Sequence, residues 1–86
     1  MSVLALDAGT TGVTALIVST DAQIVARGYS EFPQHFPTEG WVEHEPREIW
    51  EAALVAVRAA LDALGPDGDQ PTAIGITNQR ETAVLW

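Results

Sequence analysis

The sequence predicts an α/β fold in which an antiparallel meander of three strands precedes a helix and a fourth strand. Three observations predict it. Short apolar and β-branched runs, separated by turn residues, occupy the chain up to residue 32. Apolar residues at three- and four-residue spacing lie between Pro46 and Gly65. A further apolar run follows, and a strand reached through a crossover helix pairs parallel to an earlier strand.

The first three strands are separated by glycine and turn residues. Residues 3–6 form a short apolar run that ends at Asp7, before a turn that contains two glycines. Residues 13–19 are β-branched and apolar, and residues 24–32 form the third strand after a turn at 21–22. Alternation in this third strand predicts one face made of Val25, Arg27, Tyr29 and Glu31 and another made of Ile24, Ala26, Gly28 and Phe32.

A loop over residues 33–45 leads to the predicted helix. Proline suits the first helical position, where its missing N–H costs nothing, and Pro46 stands there. Gly65 and Pro66 end the helix. The apolar stripe predicted to face the core consists of Trp50, Ala53, Leu54, Val57, Ala60, Leu61 and Leu64.

The last segment predicts a fourth strand over 72–77 and the start of a fifth over 82–86, separated by four polar residues, Asn-Gln-Arg-Glu (78–81). The chain stops within the fifth strand on Trp86. We therefore expect a domain that is truncated at this point.

Composition excludes several classes of function. Four arginines, no lysines and twelve acidic residues among 86 give a net charge of −8, which opposes binding to nucleic acid. No apolar run is long enough to span a membrane, and no basic region precedes an apolar stretch as in a signal peptide. Without cysteine there is no disulfide and no thiolate metal site. We expect a soluble, cytoplasmic protein with no nucleic-acid or membrane partner.

The turn after the first strand is the first candidate site. Backbone N–H groups of a glycine-rich turn converge on one concavity, which suits a phosphate, and Thr10 and Thr11 add hydroxyls. Asp7 would be repelled by phosphate directly, so its expected role is to hold Mg²⁺ or its waters. The turn has no lysine and no following helix, unlike a Walker A loop. A plain β-turn with glycine for its positive φ is the alternative.

The polar segment 78–81 is the second candidate site. Polar groups at the end of a strand in an α/β layout face the cleft where ligands bind. Arg80 and Glu81 together offer the donors and acceptors that polyol hydroxyls require. A surface loop with a solvated charge pair is the alternative. His35 and His44 match no metal-ligand spacing, and solvated loop histidines explain them.

Four blocks in this order resemble the FGGY carbohydrate kinase family, and within it most closely the glycerol kinases. The blocks are Leu-Asp-Ala-Gly-Thr-Thr (6–11), Phe-Pro with Gly-Trp-Val-Glu-His (36–37, 40–44), Pro with Glu-Ile-Trp-Glu (46, 48–51), and Ala-Ile-Gly-Ile-Thr-Asn-Gln-Arg-Glu-Thr (73–82). The resemblance spans nearly the whole chain. It implies the N-terminal lobe of a ribonuclease-H-like, actin-like ATPase fold.

The resemblance also implies a nucleotide site with ATP and Mg²⁺. Asp7 would orient the metal, and Thr10, Thr11 and Gly12 would contact the nucleotide phosphates. Thr14 belongs to the same phosphate-binding set, at a position where glycerol kinases usually carry arginine. These kinases also usually have glutamine at position 8 and serine at position 12, where this chain has alanine and glycine.

For the acceptor, the resemblance implies glycerol or a similar polyol, held through Arg80 and Glu81, with Thr10 near the phosphorylated product. The general base, an aspartate, is expected beyond residue 86, and residues 1–86 would be part of the N-terminal kinase domain. We expect the isolated chain to be inactive and to self-associate, and the full-length protein to be a homo-oligomer. Two alternatives remain: a family kinase for another polyol or a ketose such as xylulose, and a non-catalytic chain that binds nucleotide or a partner protein.

Overall fold

The computed structural model describes residues 1–78 and contains one four-stranded sheet with one helix. The elements in chain order are β1 (Ser2–Ala8), β2 (Gly12–Ser19), β3 (Ile24–Glu31), α1 (Pro46–Leu64) and β4 (Pro71–Asn78). The strand order in the sheet is β3-β2-β1-β4. β2 runs antiparallel to both β1 and β3, and β4 runs parallel to β1. The predicted meander, crossover helix and parallel strand are confirmed.

The core lies between one face of the sheet and α1. Val13, Ala15 and Ile17 of β2 are fully buried, because β2 is a central strand that lies under the helix. On the helix the buried residues are alanines four positions apart, a spacing that places them on one face: Ala52, Ala56 and Ala60. Leu4, Ala26 and Phe32 complete this core.

Trp50 is not part of the core, and the prediction that placed it there is wrong. Its side chain is 63% exposed, and Leu54, one turn further along, is exposed as well. The apolar face of the helix is wider than the part that packs on the sheet. Hydrophobic spacing alone does not indicate which residues of that face lie at the centre of the contact with the sheet. The alanine row occupies the centre because the helix backbone approaches β3 closely, so that a Cβ at Gly28 would overlap the Ala56 carbonyl oxygen.

Ile24 also departs from its predicted face. The pairing of β2 with β3 shifts between Ile17 and Val18, so that Ala26 lies opposite Ile17 while Ile24 lies opposite Val18. The extra residue, Val25, turns Ile24 to the face opposite Ala26, where it is exposed. Strict alternation cannot predict such a bulge, because the register depends on the partner strand.

The loop between β3 and α1 is closed at its base. The backbone N–H groups of His35 and Glu43 each donate to the other residue's carbonyl oxygen, at 2.8 and 2.7 Å. The Glu45 side chain accepts from the Arg47 N–H, so it caps the helix.

Among residues 1–78 no helix is long and apolar enough to cross a membrane. Residues 79–86, which include Arg80, Glu81 and the predicted fifth strand, lie outside the described residues.

Candidate functional site

The turn between β1 and β2 is short and is held from two sides. β1 ends at Ala8 and β2 begins at Gly12, and the Gly9 N–H donates to the Gly12 carbonyl oxygen at 3.0 Å. The Thr11 carbonyl oxygen accepts from the Phe32 N–H at 3.3 Å, which ties the turn to the end of β3. Thr10 and Thr11 are exposed. The backbone of the turn is therefore fixed, while its two threonines face solvent.

A row of four side chains crosses the sheet next to this turn. Asp7 lies opposite Thr14 of β2 and beside Thr77 of β4, and Thr14 in turn lies opposite Tyr29 of β3. Directly opposite residues on neighbouring strands share a face, with Cβ atoms about 4.5–5.5 Å apart. Leu4 faces the core, and Asp7, three residues further along β1, points to the opposite face of the sheet. The row therefore lies on the face away from α1.

Asp7 is exposed and is the acid of this row, whose other members are two threonines and a tyrosine. Mg²⁺ in phosphate-transfer sites is commonly bound by one or two carboxylates and completes its octahedron with phosphate oxygens and waters. A single carboxylate beside the turn predicted to bind phosphate fits this requirement. Residues 1–78 contain no group of three or more histidine, aspartate or glutamate residues that could hold a metal by themselves.

Gly12 is buried under the side chain of Tyr29. A Cβ at position 12 would lie 2.5 Å from the Tyr29 hydroxyl oxygen and 2.7 Å from the Ser30 carbonyl oxygen, so no side chain fits there. The tip of the tyrosine therefore reaches the first residue of β2 after the turn. Alternation along β3 predicted only that Tyr29 shares a face with Val25, Arg27 and Glu31, whereas the register of β3 against β2 places it beside the turn.

The structure brings most of the predicted phosphate-site residues together. Asp7, Thr10, Thr11 and Gly12 belong to one strand end and its turn, and Thr14 lies two residues further along, half-buried and opposite Asp7. The predicted acceptor residues, Arg80 and Glu81, lie outside the described residues. Asn78, the last residue of β4, pairs with Ala8, so the carboxyl ends of β4 and β1 meet beside the turn.

The two histidines are bound within the loop and to the start of the helix. His35 Nε2 lies 2.6 Å from Glu48 Oε1, and this hydrogen bond raises the pKa of His35 above its ordinary value of 6.5. The charges of Glu48, Glu45 and Glu43 raise the pKa further. The His44 ring packs edge-on against Phe32, with ring centroids 5.0 Å apart. Both histidines thus take part in fastening the loop.

Comparisons with known proteins agree with this arrangement. Residues 2–86 match the N-terminal domain of the FGGY family of carbohydrate kinases. Over 84 residues, which is 98% of the chain and 16% of the relative, the chain is 56% identical to a glycerol kinase from Saccharolobus islandicus. The chain therefore spans about one sixth of that relative's length.

Two solved structures share the fold. The crystal structure of xylulose kinase from Rhodospirillum rubrum superposes with a TM-score of 0.87 at 26% identity, over 93% of this chain and 17% of that one. The crystal structure of Plasmodium falciparum glycerol kinase with ADP superposes with a TM-score of 0.83 at 28% identity, over 94% of this chain and 16% of that one. The predicted actin-like ATPase fold is confirmed by these neighbours.

Proposed function

The chain belongs to the FGGY family of carbohydrate kinases, and we propose that it is the N-terminal part of an ATP-dependent glycerol kinase. The reaction transfers the γ-phosphoryl group of ATP to a terminal hydroxyl of glycerol and yields glycerol 3-phosphate. The observation that carries the proposal is the fixed turn after β1, with exposed threonines beside the Asp7 carboxylate. Residues 1–86 would be one part of the N-terminal domain, and the protein would act in the cytoplasm as a homo-oligomer.

The turn binds the phosphates of the nucleotide through positioned donors. Thr10 and Thr11 donate through their hydroxyls, and the backbone of Gly12, which carries no side chain, allows a close approach. Because the turn is already tied to Phe32 by its backbone, little ordering entropy is lost when the nucleotide binds. Thr14, which pairs with Asp7 on the same face of the sheet, belongs to the same proposed phosphate-binding set.

Asp7 is the residue that we assign to Mg²⁺. Its carboxylate would hold Mg²⁺ or the waters around it, and the bound metal would supply charge neutralisation at the phosphate oxygens. Phosphoryl transfer depends mainly on positioning and charge neutralisation, so a rigid strand end suits this task. We expect the general base, the adenosine pocket and the second lobe to lie outside residues 1–86, since the chain covers only 16% of the length of the Saccharolobus islandicus relative.

The acceptor is bound next to the phosphates. The carboxyl ends of β1 and β4 meet at Ala8 and Asn78, and Arg80 follows Asn78 by two residues in the sequence. We assign Arg80 and Glu81 to the hydroxyls of glycerol, with Thr10 near the phosphorylated product. The name of the Saccharolobus islandicus relative supports glycerol as the acceptor.

The test is an assay of the full-length protein with glycerol, ATP and Mg²⁺. We expect glycerol 3-phosphate to form, and we expect Arg80→Ala to lower kcat/KM by about 100-fold, because it removes a charged hydrogen-bond donor to the substrate. Arg58→Ala, on the exposed side of α1, is the matched control and leaves the rate unchanged. A full-length protein that is active on glycerol and indifferent to Arg80→Ala would exclude the acceptor assignment.

The second candidate is phosphorylation of another polyol or of a ketose. It is supported by the superposition on xylulose kinase from Rhodospirillum rubrum, which shows that the same fold occurs in a kinase named for a ketose. Replacing glycerol by xylulose in the same assay separates the two, since a site built for one set of hydroxyls discriminates steeply against another. A full-length protein that binds nucleotide and phosphorylates neither acceptor would support the third alternative, a non-catalytic binding protein.

A further inference from the structure

Tyr29 and Gly12 form a fitted pair on the two strands next to the turn. The hydroxyl oxygen and ring carbon Cζ of Tyr29 occupy the space where a side chain at position 12 would begin, at 2.5 and 2.7 Å from an ideal Cβ. Real Cβ atoms do not come this close to other atoms, so the glycine is needed for the tyrosine to lie in this orientation. The tyrosine is thereby directed along the sheet surface toward the turn.

The Tyr29 hydroxyl can still donate a hydrogen bond to a ligand. The residue is 52% exposed, and its hydroxyl takes part in none of the side-chain hydrogen bonds formed within residues 1–78. It lies at Gly12, directly after the exposed Thr10 and Thr11. A phenol hydroxyl at this position is therefore a third hydroxyl donor at the same turn.

The charge of the row explains why a neutral donor matters there. Asp7, Thr14, Thr77 and Tyr29 lie side by side on one face, and their charged member is an acid. Asp7 interacts with an anionic phosphate through a cation, not directly, so hydroxyls and backbone N–H groups must supply the direct contacts. A hydrogen bond from a neutral hydroxyl to a charged phosphate oxygen is stronger than one between two neutral groups.

We propose that Tyr29 is a nucleotide-binding residue whose hydroxyl donates a hydrogen bond to the phosphates held at the β1–β2 turn. The proposal rests on the function proposed above, because it requires that this turn bind phosphate. It assigns a role in binding to β3, which contributes none of the residues predicted from the sequence. It also assigns a role to Gly12, which leaves space for the tyrosine.

The experiment measures binding of ADP and of adenosine to the full-length protein by isothermal titration calorimetry, without relying on catalysis. Tyr29→Phe removes one oxygen that has no partner among residues 1–78 and keeps the ring, so the fold is retained, which circular dichroism verifies. We expect the Kd of ADP to rise about 10-fold and the Kd of adenosine to stay the same. Ser30→Ala is the matched control, because it removes a hydroxyl from the neighbouring residue, which points to the other face.

The outcomes separate this inference from the proposed function. Unchanged ADP affinity in Tyr29→Phe, with a wild type that binds ADP, overturns the role of Tyr29 and leaves the proposed function intact. An equal loss for ADP and adenosine also overturns it, because the tyrosine then acts on the whole site and not on the phosphates. A wild type that binds neither ligand overturns the proposed function and this inference together.

Discussion

At the β3 side of the sheet the helix backbone lies directly against the strand, whereas at the β4 side the apolar side chains are largely exposed. Gly28 of β3 lies so close to Ala56 and Ala60 that only backbone fits between them. Ile74 and Ile76 of β4 share the face of Leu4 but are 63% and 73% exposed. The same face of one sheet is therefore a packed core at one side and an open apolar surface at the other.

The two sides are consequently held by different interactions. β3 is held by side-chain burial under α1, while β4 is held by its backbone pairing with β1 and by contacts just before it. There the N-terminal ammonium lies 2.7 Å from the Asp69 carboxylate, and the Ser2 hydroxyl donates to the Asp69 carbonyl oxygen at 2.7 Å. Exposed ion pairs contribute little to stability, so most of the stability of the chain should come from the β3 side.

The largest effect should come from a cavity in the packed half. Ile17→Ala removes a fully buried side chain between the sheet and the helix, and we expect a loss of about 2–5 kcal/mol in the free energy of unfolding. Ile76→Ala, on the open side, should change it by less than about 0.5 kcal/mol. Urea denaturation of the 86-residue chain, followed by circular dichroism, measures both. Equal losses would contradict the division into two sides.

A smaller effect should come from adding one methyl group at matched glycines. Gly28→Ala places a Cβ against the backbone of α1, which cannot give way, and should cost about 1–3 kcal/mol. Gly75→Ala, in β4, meets no atom within 4 Å and should be neutral or slightly stabilising. The same denaturation experiment measures the pair. A neutral Gly28→Ala would mean that the helix does not lie as close to β3 as described.

The open side should also promote self-association of the isolated chain. β4 carries no charged residue and is the last strand of the sheet formed within residues 1–78, and an apolar sheet edge without charges favours pairing with another copy. We expect the double variant Ile74→Thr/Ile76→Thr to reduce the apparent mass in size-exclusion chromatography with light scattering. Val25→Thr, an exposed position on the β3 edge near Arg27, is the control and should leave the mass unchanged. Unaltered association in the double variant would place the contact elsewhere.

The smallest effect concerns the loop that joins β3 to α1. The hydrogen bond to Glu48 raises the pKa of His35, and the nearby charges of Glu48, Glu45 and Glu43 raise it further. Because the folded pKa lies above the unfolded value of 6.5, the stabilising contribution is fully present below pH 6.5 and is lost as the pH rises through the raised pKa. Glu48→Gln should return the pKa toward 6.5.

An NMR titration of the His35 ring checks this expectation. Glu51→Gln is the control, because Glu51 is an exposed acid of the same helix that does not contribute to the shift. A His35 pKa that is the same in wild type and in Glu48→Gln would show that the ion pair does not form in solution.

Much of the fold was predictable because its signals are local. Proline at position 46 and glycine at position 65 mark the ends of α1, and the helix spans Pro46–Leu64 as expected. Each of the four strands within residues 1–78 was predicted to within two residues at either end, since apolar runs and turn residues are read directly from neighbours in the chain, and the fifth predicted strand lies outside the described residues. The family and its fold were predicted as well, because the four motifs that carry the resemblance are short local stretches of sequence.

Part of the candidate site was predictable for the same reason. Asp7, Thr10 and Thr11 lie within five consecutive residues at the end of β1 and in the turn after it, so the local sequence pattern is enough to identify them as candidates. Tyr29 could not be identified in this way, because its relation to Gly12 depends on the register of β3 against β2. The roles of Arg80 and Glu81 stay predictions, since both lie outside the described residues.

The sequence by itself determined the order and approximate bounds of the elements within residues 1–78, the turn and the carboxylate beside it, because propensity, capping and glycine placement act between near neighbours. Only the tertiary structure decided that alanines, and not Trp50, form the buried row of the helix, that a bulge turns Ile24 outward, and that Tyr29 covers Gly12. These features depend on the distance and register between segments far apart in the chain, which side-chain periodicity within one segment does not specify.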